Sequence, residues 1–182
     1  MARFDIFSTP VWHIDGTPLE LIDELHEGAY RFKKKYPSEN KSNEGGYQSP
    51  SFDWKEFHPQ GIEYVNKIID DTLVEDTFIL NQGLQKKFTV ISWWYNINPK
   101  GAWNLPHTHP FSELALVFYL TDSNNLLQLI NPHLQRLNAP NYMMPNAKKG
   151  DIIIFPSQLM HFVKQNEREE DRISISMNIL IR

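Results

Sequence analysis

The chain has 182 residues, of which 41% are hydrophobic and 22% charged. That is the balance of a globular protein, at a length that favours one domain. A net charge of −4 and a pI of about 6.0 speak against a nucleic-acid or anionic-membrane surface as the main partner. The chain has no cysteine, so disulfides and thiolate metal sites are excluded.

The opening MARFDIFSTPVW has neither a long apolar core nor a cleavage-site pattern. No signal peptide and no membrane span is expected, and the cytoplasm is the default location. Thr17-Pro18-Leu19-Glu20 reads as an N-cap, a first-turn proline and a capping-box glutamate. Leu21, Leu25, Ala29 and Phe32 follow at helical spacing, up to Lys35 or so. Lys33-Lys34-Lys35 is read as a solvated helix end. After a polar loop, a second helix is expected from His58-Pro59, with Ile62, Val65, Ile69 and Leu73 on one face.

From Lys86 the texture becomes that of strands. FTVISWWYNIN, ELALVFYLT, LLQLI, DIIIF and RISISMNILI are short, β-branched or aromatic runs with turn-rich pieces between them. Such a series indicates an antiparallel sandwich or barrel. The expectation is one α+β, mainly β domain over 1–182, with a helical part over 1–85 and a β core over 86–182 that holds the chemistry.

Three stretches carry candidate chemistry. In NLPHTHPFSEL, His107 and His109 share a face if the backbone is extended, and a metal gives two convergent imidazoles a common partner. The plain alternative is a pair of surface histidines at a strand edge. In GDIIIFPSQLMH, a strand ends at Phe155-Pro156-Ser157 and His161 follows; alone it reads more simply as a half-buried, hydrogen-bonded histidine. In DRISISMNILI the alternation puts Arg172, Ser174, Ser176 and Asn178 on one face, and Ile173, Ile175, Met177 and Ile179 on the other. Either the polar face meets water, or it lines a lumen where a guanidinium beside a hydroxyl suits a carboxylate.

In this order and spacing, H-x-H, G-D-x-x-x-F-P-S-x-x-x-H and R-x-S resemble the double-stranded β-helix of Fe(II)/2-oxoglutarate-dependent oxygenases. More narrowly, the chain is similar to a little-characterised branch with H-x-H-P, F-P-S-x-x-x-H and R-I-S-x-S-x-N stretches. FSTPV (7–11) and GGYQS (45–49) extend the resemblance over nearly the whole chain. It implies a jelly-roll, cupin-like barrel with N-terminal helices packed on it. It also implies an iron held by His107 and His161, a 2-oxoglutarate clamped by Arg172 and Ser174, O2 as co-reactant, and a second substrate that is a protein side chain or a small metabolite. Most of the superfamily has Asp or Glu where this chain has His109, so a three-histidine face is expected, with Glu113 as a substitute ligand of the same strand parity. No catalytic residue beyond the metal ligands is assigned. Asn96, which shares a parity with Asn98 ahead of the H-x-H stretch, is a candidate cosubstrate contact.

The rival reading is a metal-binding cupin that does not use 2-oxoglutarate. Gly101 to Glu113 resembles the first cupin motif, and Gly150 to Pro156 with His161 resembles part of the second. Glycines that pattern expects near Leu120 and Gln158 are missing. Trp93, Trp94 and Trp103 are candidates for a substrate wall, though strand aromatics are more often core. His13, His26 and His58 are assigned nothing, and His133 is placed on a loop. The loops Lys35–Ser51 and Pro132–Lys149 are candidates for covering a pocket. A homodimer is left open.

Overall fold

The computed structural model describes residues 8–39, 41–52, 59–73, 87–133 and 140–182. Ile22, Leu25, Gly28, Ala29 and Phe32 recur every three or four positions and form the buried face of helix α1, Leu19–Lys35. The expected cap is shifted. Pro18, not Thr17, is the N-cap residue, its ψ of 133° is extended, and no side chain caps the helix. Helix α2 spans Pro59–Leu73 and buries Val65, Ile69 and Leu73. His58 and the boundary drawn between 85 and 86 lie outside the described residues.

The strands are β1 (Trp12–Ile14), β2 (Asn43–Glu44), β3 (Tyr47–Gln48), β4 (Phe88–Asn98), β5 (Trp103–His107), β6 (Leu114–Tyr119), β7 (Leu127–Ile130), β8 (Tyr142–Met143), β9 (Ile152–Pro156), β10 (His161–Val163) and β11 (Arg172–Ile181). They form two antiparallel sheets, a larger one ordered β1-β9-β6-β11-β4-β3 and a smaller one ordered β2-β5-β10-β7-β8. This is the mainly β, double-stranded helix expected, with helices on one side. The helical first part departs from expectation: β1, β2 and β3 come from it and extend both sheets. Strands of two or three residues are too short to show a period-two pattern. Among the described residues no helix is long and apolar enough to cross a membrane.

Two apolar clusters decide which face of the larger sheet points where. The outer one joins α1 and α2 to Trp93, Tyr95 and Ile97 of β4 and to Ile173, Ile175, Met177 and Ile179 of β11. Fully burying one such side chain stabilises by about 1.5–3 kcal/mol. Four in a row outweigh the desolvation of the Ser and Asn side chains between them, provided those find partners. The polar row of β11 is thereby turned into the barrel. The inner cluster, including Ala115, Val117, Leu127, Leu129, Ile153, Phe155 and Val163, fills the opposite side of the lumen. One wall of the barrel is apolar and the other polar.

Candidate functional site

The polar wall is a ladder. β11 and β4 pair Arg172 with Asn98, Ser174 with Asn96, Ser176 with Trp94 and Asn178 with Ser92. Directly opposed residues share a face, so both strands deliver their polar rows inward. Across the lumen, β5 and β10 pair His107 with His161. His109 lies two residues beyond the end of β5, in a turn where Phe111 adopts a left-handed φ of 66°. Its N–H donates to the carbonyl of Ser157 at 2.9 Å, and Ser112 Oγ donates back to the His109 carbonyl at 3.0 Å. The three imidazoles converge, with ring centroids 4.3 to 5.3 Å apart. One nitrogen from each lies within 4.8 Å of the others, a grouping that can hold a metal ion.

The orientation of each ring follows from its second nitrogen. Nδ1 of His107 lies 2.6 Å from the Leu105 carbonyl, and Nδ1 of His161 lies 2.8 Å from the Leu159 carbonyl. Nδ1 of His109 lies 2.6 Å from Oδ1 of Asn178, whose own amide N–H donates to Ser92 Oγ at 2.9 Å. A carbonyl only accepts, so in the neutral state each Nδ1 carries the proton and each Nε2 keeps its lone pair. The Nε2 atoms of His109 and His161 face each other at 3.1 Å. Two cis ligands at about 2.1 Å from one ion stand roughly 3.0 Å apart, so that spacing, unfavourable between bare lone pairs, suits a shared cation.

Burial depresses the basicity of all three rings. It lowers His107 despite the bond to the Leu105 carbonyl. It takes His109 to about 4, against the opposing bond to Asn178. It takes His161 to about 3, helped by the neighbouring His107. An unfolded histidine titrates near 6.5. Below that pH the unfolded chain binds protons that the folded chain refuses. The metal-free protein should therefore lose stability as pH falls from about 6.5 toward about 4 for His109 and about 3 for His161. The loss should be about 1.4 kcal/mol per pH unit per histidine, measurable by urea unfolding in chelator between pH 7 and pH 4. A flat profile would show that these rings are not buried neutral.

Two cavities meet at the histidines. The outer one is about 490 Å³ and is lined by Lys41, Ser42, Gln48, Trp94, His107 and His109 among others. The inner one, about 20 Å³, also touches Ser42, Trp94, His107 and His109, and adds His161, Asn96, Ser174, Ser176 and Arg172. It holds little more than one water as the side chains stand, so a larger guest must part them. Arg172 is 3% exposed, its Nε has no hydrogen-bond partner, and among the described residues no carboxylate pairs with it. Its guanidinium carbon lies 5.3 Å from the centroid of the Tyr119 ring. Ser174 and Asn96 are buried beside it, and the Asn96 amide donates to Ser176 Oγ at 3.1 Å.

The structure thus brings together His107, His109, His161, Arg172, Ser174 and Asn96. Glu113 does not join them: it is exposed, and its Oε2 accepts the backbone N–H of Ile181 at 2.9 Å. The turn at Pro110-Phe111 breaks the strand parity on which its candidacy rested. Of the tryptophans, Trp94 stacks on His109 with centroids 5.5 Å apart, Trp93 belongs to the outer core and Trp103 is 38% exposed. Of the two loops, Lys35–Ser51 supplies Lys41, Ser42, Gln48, Ser49 and Ser51 to the outer cavity, while no described residue of Pro132–Lys149 lines it. His13, which drew no assignment, places Nε2 2.7 Å from Oδ2 of Asp151 at the turn before β9. There Gly150 adopts φ +94°, where a side chain would be strained.

The arrangement can be set beside known proteins. Comparison with curated protein sequences returns no match. Among solved structures, a prolyl-4-hydroxylase from Pseudomonas putida superposes with a TM-score of 0.64 at 16% identity, covering 96% of this chain and 94% of its own. HygX from Streptomyces hygroscopicus, solved with nickel and 2-oxoglutarate bound, gives 0.66 at 11% identity, with 94% and 82% covered. The viral collagen prolyl hydroxylase of Paramecium Bursaria Chlorella virus-1, solved as a 2-oxoglutarate complex, gives 0.63 at 18%, with 93% and 94% covered. These likenesses establish the fold. A family model described as "Putative 2OG-Fe(II) oxygenase" matches residues 92–178, the span from Ser92 on β4 to Asn178 on β11 that contains every residue of the histidine cluster and of the Arg172 wall. Over that span, a little under half of the chain, the sequence is similar to the 2OG-Fe(II) oxygenases, and together with the shared fold this supports an enzyme of that kind.

Proposed function

We propose that the protein is such an oxygenase, that it holds Fe(II) on the Nε2 atoms of His107, His109 and His161, and that it holds the distal carboxylate of 2-oxoglutarate on Arg172 with help from Ser174. The observation that carries the reading is Arg172: a guanidinium 3% exposed, with no carboxylate partner among the described residues, in the same cavity as the histidines. A buried cation without an anion is costly, and a bidentate carboxylate removes much of that cost. Bound together, iron, 2-oxoglutarate and O2 supply the oxidation, in which one oxygen atom ends in succinate, the other in a hydroxylated substrate, and CO2 leaves. The protein's own groups orient and exclude. The carbonyls of Leu105 and Leu159 and the amide of Asn178 keep the imidazole protons on Nδ1. The apolar cluster of Val117, Leu127 and Val163 keeps water from one side of the lumen, and Asn96 stands beside Ser174 as a further contact for the cosubstrate. The reading is of one catalytic domain over 1–182, working in the cytoplasm on a protein side chain or a small metabolite.

Beside the partial motif resemblance, the all-histidine face favours a cupin-type metal protein without 2-oxoglutarate, because three neutral ligands leave the ion more positive than two histidines and a carboxylate do. That reading leaves Arg172 buried without an anion, and so it ranks second. Mass spectrometry of protein incubated with Fe(II), ascorbate and 2-oxoglutarate should show succinate, slowly in the absence of the primary substrate. His109→Asp, which restores the carboxylate usual in the superfamily, should bind iron and keep or raise that turnover. Stoichiometric iron with no 2-oxoglutarate affinity by calorimetry would replace this reading with the cupin one.

A further inference from the structure

The β2–β3 hairpin does more than extend two sheets. Gly45 turns it with φ +74°, and Gly46 lets it lie against β4: a Cβ there would come within 2.4 Å of Asn43 Oδ1 and 2.6 Å of the Ile97 carbonyl. This close approach sets Tyr47 opposite Ile97, facing the helices, and Gln48 opposite Asn96, facing the lumen. The Gln48 backbone is fixed on both sides. Its N–H donates to Ser38 Oγ at 3.0 Å and its carbonyl accepts the Glu39 N–H at 2.8 Å. Its side chain is left over. The residue is 4% exposed and lines the outer cavity, and Oε1 is enclosed without a hydrogen-bond partner. Three serines on that cavity are engaged elsewhere. Ser92 accepts from Asn178, Ser49 Oγ accepts the Tyr95 N–H and donates to the Pro50 carbonyl, and Ser42 Oγ accepts from Asn104. A buried acceptor without a partner is rare, because it forfeits its hydration with no return. One that opens on a cavity beside a reaction centre is explained by the molecule that fills the cavity.

We infer that Gln48 recognises the primary substrate, and that the substrate carries an uncharged carboxamide or peptide group. The N–H of such a group is the donor that Gln48 Oε1 lacks, and a primary carboxamide also turns its carbonyl to the same edge, the complement of the Gln48 carboxamide. The remaining lining agrees with a neutral guest. Trp94, Leu105, Pro106 and Pro110 offer apolar contact, and the cation there, Lys41, is engaged by Glu39 at 2.7 Å. The inference rests on the iron and 2-oxoglutarate reading only in taking the outer cavity as the substrate's place.

The test uses three probes, L-glutamine, L-asparagine and N-acetyl-L-alanine N-methylamide, against L-glutamic acid γ-methyl ester, L-aspartic acid β-methyl ester and methyl O-acetyl-L-lactate, in which every neutral amide N–H is replaced by an ester oxygen. Binding is measured by calorimetry on anaerobic protein loaded with Fe(II) and 2-oxoglutarate, and again on metal-free protein. The charge-transfer absorption of iron with 2-oxoglutarate reports loading separately. Its absence in wild type would count against the cosubstrate reading and leaves the amide comparison to be read on metal-free protein. Wild type should bind at least one amide about tenfold more tightly than its ester, which is about 1.4 kcal/mol. Preference for the two amino acids points to a free metabolite, and preference for the blocked alanine points to a peptide. Gln48→Leu should lose the amide preference, keep the charge-transfer band, and unfold at or above the wild-type temperature, since an unpartnered acceptor has been removed. Equal binding of amide and ester, an amide preference that survives in Gln48→Leu, or a lowered unfolding temperature in both Gln48→Leu and Gln48→Met would overturn the proposal, the last by making the amide structural.

Discussion

His161→Ala should empty the protein of iron. His161 stands opposite His107 on the β5–β10 ladder and places Nε2 3.1 Å from that of His109, so its removal takes away the ligand common to both close pairs. Two imidazoles alone do not hold a first-row ion against buffer, and the iron-to-protein ratio should fall from near one to near zero. Turnover of 2-oxoglutarate should vanish with it. A second readout separates ligation from folding. Iron at a hundred times its dissociation constant stabilises a protein that binds it only when folded by about 2.7 kcal/mol. Wild type should show that increment on addition of metal, and the variant should show none. The ring also packs edge-on against Phe155, with centroids 4.8 Å apart, so His161→Ala will lose some stability at any metal concentration. His161→Gln keeps more of that volume and should lose iron equally. Full stoichiometric metal in either variant would remove His161 from the ligand set.

Arg172→Ala should leave iron in place and weaken the cosubstrate. Truncating one partner of a buried, hydrogen-bonded charge pair costs about 2–5 kcal/mol of binding, or roughly 30-fold to several-thousand-fold in affinity. The anaerobic titration of 2-oxoglutarate into the Fe(II) protein should therefore shift by at least an order of magnitude. Arg172→Lys should fall between the two, because a point charge replaces a planar fork. Metal content should stay near wild type in both, since Arg172 lies on β11 and the histidines come from β5, the turn after it and β10. An unchanged 2-oxoglutarate affinity in Arg172→Ala would mean that the buried guanidinium serves Tyr119, over whose ring it sits, and not the cosubstrate.

The residues that converge were legible where the chain repeats a pattern long enough to be read. RISISMN alternates over seven positions, so its two faces were legible; which of them turns inward was left open, and the structure decides it by packing the isoleucine row with the helices. The H-x-H pair and the histidine after F-P-S were open to plainer readings one by one; the family resemblance singled them out together, and the structure brings their three rings to one place. What escaped is what depends on tertiary contact alone. Glu113 kept its parity only on paper, since β5 ends at His107 and the turn through left-handed Phe111 separates it from Glu113. The N-cap moved from Thr17 to Pro18 because no side-chain cap forms there. The β2–β3 hairpin looked like a polar loop, yet its two glycines carry it against β4 and bring Gln48 to face the lumen. The residue types of GGYQS were visible; that one amide would be left unspent was not, because hydrogen-bond partners four to eighty residues away are not written in local sequence. The contact of His13 with Asp151 is of the same kind.

The histidine cluster also bridges the sandwich. His107 and His161 are opposite rungs of the smaller sheet, whereas the ring of His109 is aimed by Asn178, a residue of the larger one. An ion bound to all three therefore works as a gauge of the distance between the two sheets. Ile175 and Met177 at the back of β11 share one apolar cluster with α1, α2 and β4, so a repacking far from the histidines, at Ile22 or Phe32 for example, can tilt Asn178 and be felt at a bound ion. Substitutions that loosen the helical layer would then register as changes in iron affinity before they register as unfolding, and the helices, which touch no ligand, become part of what sets the grip on the ion.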